Sequence, residues 1–195
     1  MYNISDKVIL VDCDGVLIDW EYGFHRWMNS RGYQAQHPGQ YEISKTYSID
    51  KKVAKELVRS FNESAHIGYL PSLRDSIKYV KKLHEEHGYV FHCITSLSKD
   101  PYAGKSREKN LHALFGKTPF ELIVCLDCGA DKDEALLPYK DTGCFWIEDK
   151  PENAIVGERL GLQPILVQHE YNKEFNHPSI PKVYFWKEIY QMVGV

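Results

Sequence analysis

The chain has 195 residues, of which 43% are hydrophobic and 26% are charged, and its net charge at pH 7 is −3. These values are typical of a soluble globular protein with one compact domain, or with one core and a small insertion. They provide no basic field for nucleic acid, and no apolar run reaches the roughly 20 residues that span a bilayer. The first residues, MYNISDKV, lack the apolar core of a signal peptide, so we expect a cytoplasmic protein without a membrane partner.

The first predicted element is a buried strand at residues 7–12 (KVILVD), in which Val8 to Val11 run directly into an aspartate. The next stretch, from about Gly15 to Pro71, contains no strand-like run. Its segments EYGFHRWMNSRG and DKKVAKELVRSFNESA have the pattern of helices. We therefore predict a helical insertion of about 55 residues after the first strand.

Five more apolar runs predict strands, and helix-like segments alternate with them. The predicted strands are 89–95, 120–126, 144–149, 163–168 and 182–186. The predicted helices, at 72–88, 105–116 and 150–161, each stop at a glycine, and Pro151 stands in the first turn of the last one. This alternation predicts an α/β fold with a doubly wound, mostly parallel sheet.

Two carboxylates, Asp12 and Asp14, follow the first strand and flank a single residue. Residues two apart in a strand face the same side, so both can face the crevice at the carboxyl ends of the strands, where open α/β sheets bind ligands. Carboxylates this close repel each other unless a cation or a shared proton intervenes, and Mg²⁺ suits such oxygen ligands. Gly15 allows a sharp turn out of the sheet. The positions of Val16 and Leu17 exclude an EF-hand loop, which leaves a non-catalytic acidic turn as the alternative.

Other predicted strands also end in polar residues. The second ends in Thr95 and Ser96, whose hydroxyls can donate to phosphate oxygens, and the fourth ends in Glu148 and Asp149. Each pair alone is typical of a helix cap, a turn or an acidic loop. Because the carboxyl ends of parallel strands meet at one edge of the sheet, their joint placement favours a functional site.

A phosphate site also needs a positive charge. Lys132, in GADKDEALL, precedes the strand that ends in Glu148 and is our first candidate, although a solvated surface lysine is the alternative. Three cations early in the helix after Thr95 compete with it: Lys105, Arg107 and Lys109.

The cysteine pattern favours reduced thiols in the protein core. The count is odd, at five, and most cysteines lie in apolar strand-like runs. Cys125 and Cys128 form a C-x-x-C without a second pair at zinc-finger spacing. We expect a structural role for this pair, with a metal or redox role as the alternative.

These motifs resemble those of the haloacid dehalogenase-like phosphatase superfamily. The first motif is matched by Asp12-Cys13-Asp14-Gly15-Val16-Leu17, the second by HCITS and the fourth by WIED. The resemblance covers essentially the whole chain and implies a Rossmann-like catalytic core at 1–14 and 72–195, with a helical cap at 15–71. Within the superfamily the chain looks most like the small 5'(3')-deoxyribonucleotidases, although Glu148 stands where those proteins usually have a first aspartate.

The resemblance also implies roles for individual residues. Asp12 would attack phosphorus to form an aspartyl-phosphate, and Asp14 would act as acid and then base. Asp12, the Asp14 carbonyl and Asp149 would hold Mg²⁺. The residues expected to bind phosphate oxygens are Thr95, Ser96 and Lys132. Glu148 would orient a metal-bound water.

The aromatic content of the insertion suggests a substrate. Phe24 and Trp27 share a helix face and could stack on a base, so we expect a small phosphorylated substrate, a nucleoside monophosphate in particular. Core packing of these aromatics is the alternative. Other candidate substrates are a polynucleotide 3'-phosphate and a sugar phosphate. A receiver-type phospho-acceptor would also gather acids, a hydroxyl and a lysine around Mg²⁺, but it would place its acceptor aspartate on a later strand and would lack the insertion.

Overall fold

A computed structural model describes residues 7–194. The strands are β1 (Val8–Val11), β2 (Val90–Ser96), β3 (Phe120–Leu126), β4 (Phe145–Glu148), β5 (Gln163–Val167) and β6 (Lys182–Val183). The α-helices are α1 (Trp20–Asn29), α2 (Ile43–Tyr47), α3 (Lys51–Asn62), α4 (Ser76–His87), α5 (Pro101–Phe115), α6 (Asp133–Leu136), α7 (Pro151–Arg159) and α8 (Trp186–Met192). Short 3₁₀ helices lie at Ala65–Tyr69, Leu137–Tyr139 and Glu170–Asn172.

The sheet is parallel throughout, and its strands lie in the order β3-β2-β1-β4-β5-β6. The chain runs outward from β1 to β3, returns to β4 on the other side of β1, and runs outward again to β6. The strand order therefore reverses between β1 and β4, which is where ligands bind in doubly wound sheets. This topology confirms the predicted α/β fold.

β1 is buried on both faces, because helices cover both sides of the sheet. Ile9 and Val11 pack in one hydrophobic cluster, whereas Val8 and Leu10 pack in the other. The alternation follows from the two-residue period of a strand. This burial explains why the sequence of β1 is an uninterrupted apolar run. It also fixes the carboxyl end of β1 between β2 and β4.

Helix α5 begins earlier than the sequence pattern predicts. Asp100 accepts hydrogen bonds from the amides of Tyr102 and Ala103, and Pro101 takes the first helical position. This cap starts the helix four residues before Lys105.

The last predicted strand, at 182–186, is too long. Only Lys182–Val183 pair with β5, and Trp186 begins α8. The Glu188 carboxylate accepts hydrogen bonds from the amides of Tyr184 and Phe185, so these residues form a helix cap instead of extending the ladder.

The stretch between β1 and α4 is helical, as its sequence pattern indicates. Asp19 and Asp50 cap α1 and α3 by accepting backbone hydrogen bonds. Phe24 and Phe61, from these two helices, belong to the same hydrophobic cluster as Ile9 of β1.

Within residues 7–194, no helix combines the length and apolar character that crossing a bilayer requires. The prediction from MYNISDKV concerns mainly residues 1–6, which lie outside the described residues. All five cysteine thiols are free.

Candidate active site

Three carboxylates meet at the carboxyl ends of β1 and β4. Asp12 directly follows β1, and its amide donates to the carbonyl of Ile147 in β4 at 2.9 Å. Asp12, Glu148 and Asp149 are all buried, and one carboxylate oxygen of each lies within 4.8 Å of those of the other two. Such a cluster requires compensating positive charge or protons, because like charges repel strongly in a medium of low dielectric constant.

Lys132 provides part of that charge. Its ammonium lies 2.8 Å from Asp12 Oδ1 and 2.7 Å from Glu148 Oε1, and its side chain is buried. Burial alone would lower the pKa of Lys132. The attraction of the Asp12 and Glu148 carboxylates is stronger and raises this pKa above its ordinary value. Of the four candidate cations, Lys132 is therefore the one that contacts the carboxylate cluster.

Glu148 has a full set of hydrogen-bond partners. Its Oε1 accepts from Lys132 and from Asn153 Nδ2 at 2.6 Å. Its Oε2 accepts from the amides of Asp149 at 2.5 Å and Lys150 at 2.7 Å, at the start of α7. Burial alone would raise the pKa of Glu148, but Lys132 and these donors lower it below its ordinary value. Glu148 is thus an ionised anchor that holds Lys132 and the amino end of α7 in place.

Asp12 and Asp149 are less well compensated. Burial, with the neighbouring carboxylates, raises the pKa of Asp12 to about 7 despite Lys132, and raises the pKa of Asp149 well above its ordinary value. Asp149 Oδ2 accepts a hydrogen bond from the Tyr171 hydroxyl. Asp12 and Asp149 are therefore two buried carboxylates whose negative charge is not fully balanced by nearby positive charge. Hard divalent cations prefer such oxygen ligands, so these residues fit Mg²⁺.

Gly15 is necessary for the close approach of the β1 loop to Asp149. Its φ is +73°, and a Cβ at this position would lie 2.3 Å from Asp149 Oδ2. Its carbonyl oxygen lies 2.7 Å from His169 Nε2, which ties the turn to the loop after β5. Any side chain larger than hydrogen would therefore collide with a predicted metal ligand.

Asp14 faces a different partner from Asp12. Its Oδ1 and Oδ2 accept hydrogen bonds from the two terminal nitrogens of Arg107, at 2.6 and 3.0 Å. Arg107 is fully buried on α5, whereas the Asp14 side chain is 23% exposed and so can reach solvent or a ligand. Arg107 is therefore a partner of the predicted acid–base residue and does not contact the carboxylate cluster.

The two hydroxyls at the end of β2 differ in their contacts. Thr95 is fully buried, and its Oγ1 has no hydrogen-bond partner among residues 7–194. Ser96 Oγ donates to the carbonyl of Ala130 at 2.8 Å. A buried hydroxyl without a partner is unfavourable by itself and is available to a ligand, whereas the Ser96 hydroxyl is already engaged.

The other predicted residues make their contacts with different parts of the protein. Phe24 and Trp27 are buried, and Phe24 stacks on Trp20 with ring centroids 4.6 Å apart and on Trp27 with centroids 5.9 Å apart. Both faces of the Phe24 ring are therefore covered by protein. Lys109 donates to the Tyr69 hydroxyl at 2.7 Å, and Lys105 lies 5.4 Å from the ring centroid of Tyr102.

The loop after β5 supplies site residues that the sequence analysis did not identify. Asn172 Nδ2 donates to the carbonyls of Asp149 and Val167, at 2.7 and 2.8 Å, while Tyr171 donates to the Asp149 carboxylate. The ring of Tyr171 stacks on His169 and meets Tyr41 edge-on, with centroids 5.3 Å apart. The only sequence signal is a cluster of hydrogen-bonding side chains, QHEYN, directly after a strand.

Solved structures share this fold over nearly the whole chain. A haloacid dehalogenase-like hydrolase from Streptococcus pneumoniae has a TM-score of 0.68 at 16% identity, covering 95% of this chain and 97% of that one. A protein described as a predicted phosphatase from Clostridium acetobutylicum has a TM-score of 0.66 at 17% identity, with 96% and 97% covered. The HAD-hydrolase YfnB from Bacillus subtilis, bound to magnesium, has a TM-score of 0.60 at 12% identity, with 97% and 99% covered. The fold is therefore that of the haloacid dehalogenase-like hydrolases.

The sequence comparisons are less specific. No family model matches the chain. The chain is 23% identical to a 32.4 kDa protein of Enterobacteria phage T4 from the Gp30-rIII intergenic region, described as uncharacterized, with 93% of this chain and 67% of that protein covered. None of these relatives is described as a nucleotidase, so the narrower resemblance to the deoxyribonucleotidases stays a prediction.

Proposed function

We propose that the protein is a Mg²⁺-dependent phosphomonoesterase that works through an aspartyl-phosphate on Asp12. The observation that supports this most directly is the buried contact between Asp12 and Lys132, which lies beside Asp149. The similarity of the fold to that of solved hydrolases also supports it. The Thr95 hydroxyl, buried and without a partner at the end of the neighbouring strand, adds a donor suited to a phosphate oxygen.

The carboxylates of Asp12 and Asp149, with the carbonyl of Asp14, are the groups proposed to hold the metal. Bound there, Mg²⁺ would supply the charge neutralisation that lets an anionic phosphate approach an anionic nucleophile. Glu148 supports this arrangement indirectly, because it fixes Lys132 and the backbone of Asp149.

In the first step a carboxylate oxygen of Asp12 forms a bond to phosphorus while the ester P–O bond breaks. The leaving oxygen takes a proton from Asp14, and the free alcohol departs. Lys132 and Thr95 bind the phosphoryl oxygens, on which charge accumulates in the transition state. In the second step Asp14 removes a proton from water, the water oxygen attacks phosphorus, and inorganic phosphate leaves as the Asp12 carboxylate is restored.

We further propose that residues 15–71 form a cap over a catalytic core made of 1–14 and 72–195. The contacts of this stretch with loops at the carboxyl end of the sheet support the division. Asn62 at the end of α3 donates to the carbonyl of Leu97 after β2 at 2.9 Å, and Tyr41 packs on Tyr171 beside Asp149. A cap in this position would enclose the leaving group of the substrate.

Nucleoside monophosphates are the substrates we propose to assay first, as the resemblance implies. Tyr41 is 56% exposed and is the aromatic residue from the helical stretch that packs on Tyr171, so it is a better candidate than Phe24 for contact with a base. A panel of 3'- and 5'-nucleoside monophosphates, sugar phosphates and a 3'-phosphorylated oligonucleotide, each with Mg²⁺ or with EDTA, distinguishes the candidate substrates.

Asp12→Asn tests the proposed reaction. The variant keeps the shape of the side chain but removes the nucleophile, so we expect an intact fold and no Mg²⁺-dependent phosphate release from 4-nitrophenyl phosphate. Asp133→Asn, at a half-exposed position on α6, is the matched control and should retain full activity. Turnover by Asp12→Asn at the rate of the control would refute the assignment of the nucleophile.

A further inference from the structure

No step of the proposed reaction uses the buried charge of Arg107. Its two terminal nitrogens bond separately to the two oxygens of Asp14, at 2.6 and 3.0 Å, in a bidentate pair. Bidentate pairing fixes both the plane of a carboxylate and its distance from the guanidinium. A single point charge fixes only the distance. The pair therefore determines the orientation of the Asp14 side chain.

Arg107 is itself held from several directions. The nitrogen that bonds Asp14 Oδ1 also lies 3.0 Å from the Cys13 sulfur. One turn further along α5, Asn110 donates to the carbonyl of Leu70 at 2.9 Å, which fixes the helix against the end of the helical insertion. The guanidinium is thus positioned by helix α5 on one side and by the β1 loop on the other.

We propose that Arg107 is a positioning residue that orients the Asp14 carboxylate for proton transfer to the leaving group. This inference rests on the proposed function, because that function gives Asp14 its role. Each carboxylate oxygen has two acceptor positions. Arg107 occupies one on each oxygen, which leaves a second position on each for the proton that is exchanged with the substrate. Removing a guanidinium from water is expensive even when it is paired, so the burial of Arg107 is weak evidence for a stabilising role.

The proposal makes a prediction that depends on the leaving group. 4-Nitrophenyl phosphate releases a stable anion that needs no proton from the enzyme. Phenyl phosphate has nearly the same shape but releases a much more basic oxygen, which depends on a correctly oriented acid. The value of kcat/KM reports the steps up to the departure of this group, so it is independent of the later hydrolysis of the aspartyl-phosphate.

The experiment compares both substrates in the wild type, Arg107→Lys and Arg107→Gln. Lysine keeps the charge but has a single nitrogen, so it cannot hold both oxygens of Asp14. We expect kcat/KM for phenyl phosphate to fall by roughly 10- to 100-fold, within the range of general acid catalysis, and kcat/KM for 4-nitrophenyl phosphate to change by less than about threefold. In an Asp14→Asn background, Arg107→Lys should produce no further loss, because Arg107 acts only through Asp14.

Several outcomes would overturn the proposal. An equal fall for both substrates, or a further fall in the Asp14→Asn background, would show that Arg107 supports the fold of the site in general. Failure of both Arg107 variants to fold, measured by circular dichroism and thermal unfolding, would also assign it a structural role. If the wild type hydrolysed neither substrate in the presence of Mg²⁺, the proposed function itself would fail, and that result is distinct from the others.

Discussion

Replacing Gly15 with alanine tests whether the β1 loop must lie against Asp149. The φ of +73° makes any side chain at this position unfavourable by about 1–2 kcal/mol. The new Cβ would also lie 2.3 Å from Asp149 Oδ2, whereas ordinary contacts of a Cβ begin at 3.4 Å. Asp149 would therefore have to move by about 1 Å, and a misplacement of that size in an active site reduces activity by roughly 100-fold.

Gly32→Ala is the matched control, because Gly32 has a φ of +82° and no atom within 4 Å of the added Cβ. Urea unfolding in EDTA should show a loss of about 1–2 kcal/mol from backbone strain in both variants, and a larger total loss in Gly15→Ala because of its collision with Asp149. Only Gly15→Ala should lose phosphatase activity and the stabilisation by Mg²⁺. If Gly15→Ala retained the activity and the Mg²⁺ response of Gly32→Ala, the predicted metal position beside Asp149 would be wrong.

Four further predictions concern charge and packing. Mg²⁺ at ten times its dissociation constant should stabilise the wild type by about 1.4 kcal/mol in thermal unfolding, and should not stabilise Asp149→Asn. Without metal, the pKa of Asp12 rises from 3.8 to about 7 on folding, so this group stabilises the fold at low pH and the contribution is lost as the pH rises through about 7. Urea unfolding in EDTA at about pH 5 and about pH 8 should reveal this loss, and Asp12→Asn should remove the part that Asp12 contributes while leaving the part due to Asp149. Lys132→Met leaves buried carboxylates unpaired and should lower the free energy of unfolding by about 3–5 kcal/mol in metal-free protein. Phe24→Ala should lower it by about 3–5 kcal/mol, as measured by urea unfolding, whereas a base-stacking role would raise KM with the stability unchanged.

The sequence predicts the fold and the ends of the strands because those signals are local. One apolar run stops at Asp12, and another stops at Glu148 and Asp149. In any parallel sheet, these residues therefore lie at the carboxyl edge. Only the order of the strands is needed to make them neighbours. The structure then places β1 beside β4, and the three carboxylates meet.

The pairing of Asp14 with Arg107 could not be predicted in the same way. The two residues lie 93 positions apart, and the contact depends on which face of α5 points toward the β1 loop. From the sequence, Arg107 is only a competitor of Lys132 for phosphate. The cation is present in the sequence, but the rotation of a helix on the sheet is a tertiary property.

Two other features depend on tertiary structure. The spacing of Phe24 and Trp27 predicts a shared helix face, but it does not distinguish a face that packs on protein from one that packs on a ligand. Tyr171 follows β5 in a 3₁₀ turn without any repeating pattern, and it reaches Asp149 only because β5 lies beside β4. The packing of Phe24 and the contact of Tyr171 with Asp149 therefore become visible only in the folded structure.

The central claim is that Asp12 accepts the phosphoryl group. A rapid acid quench of the enzyme during turnover of a ³²P-labelled phosphomonoester with Mg²⁺, followed by peptide mass spectrometry, measures this directly. The account predicts label on the peptide that contains Asp12, no label with EDTA and no label in Asp12→Asn. Label on another residue, or steady turnover with no labelled peptide at any quench time, would contradict it.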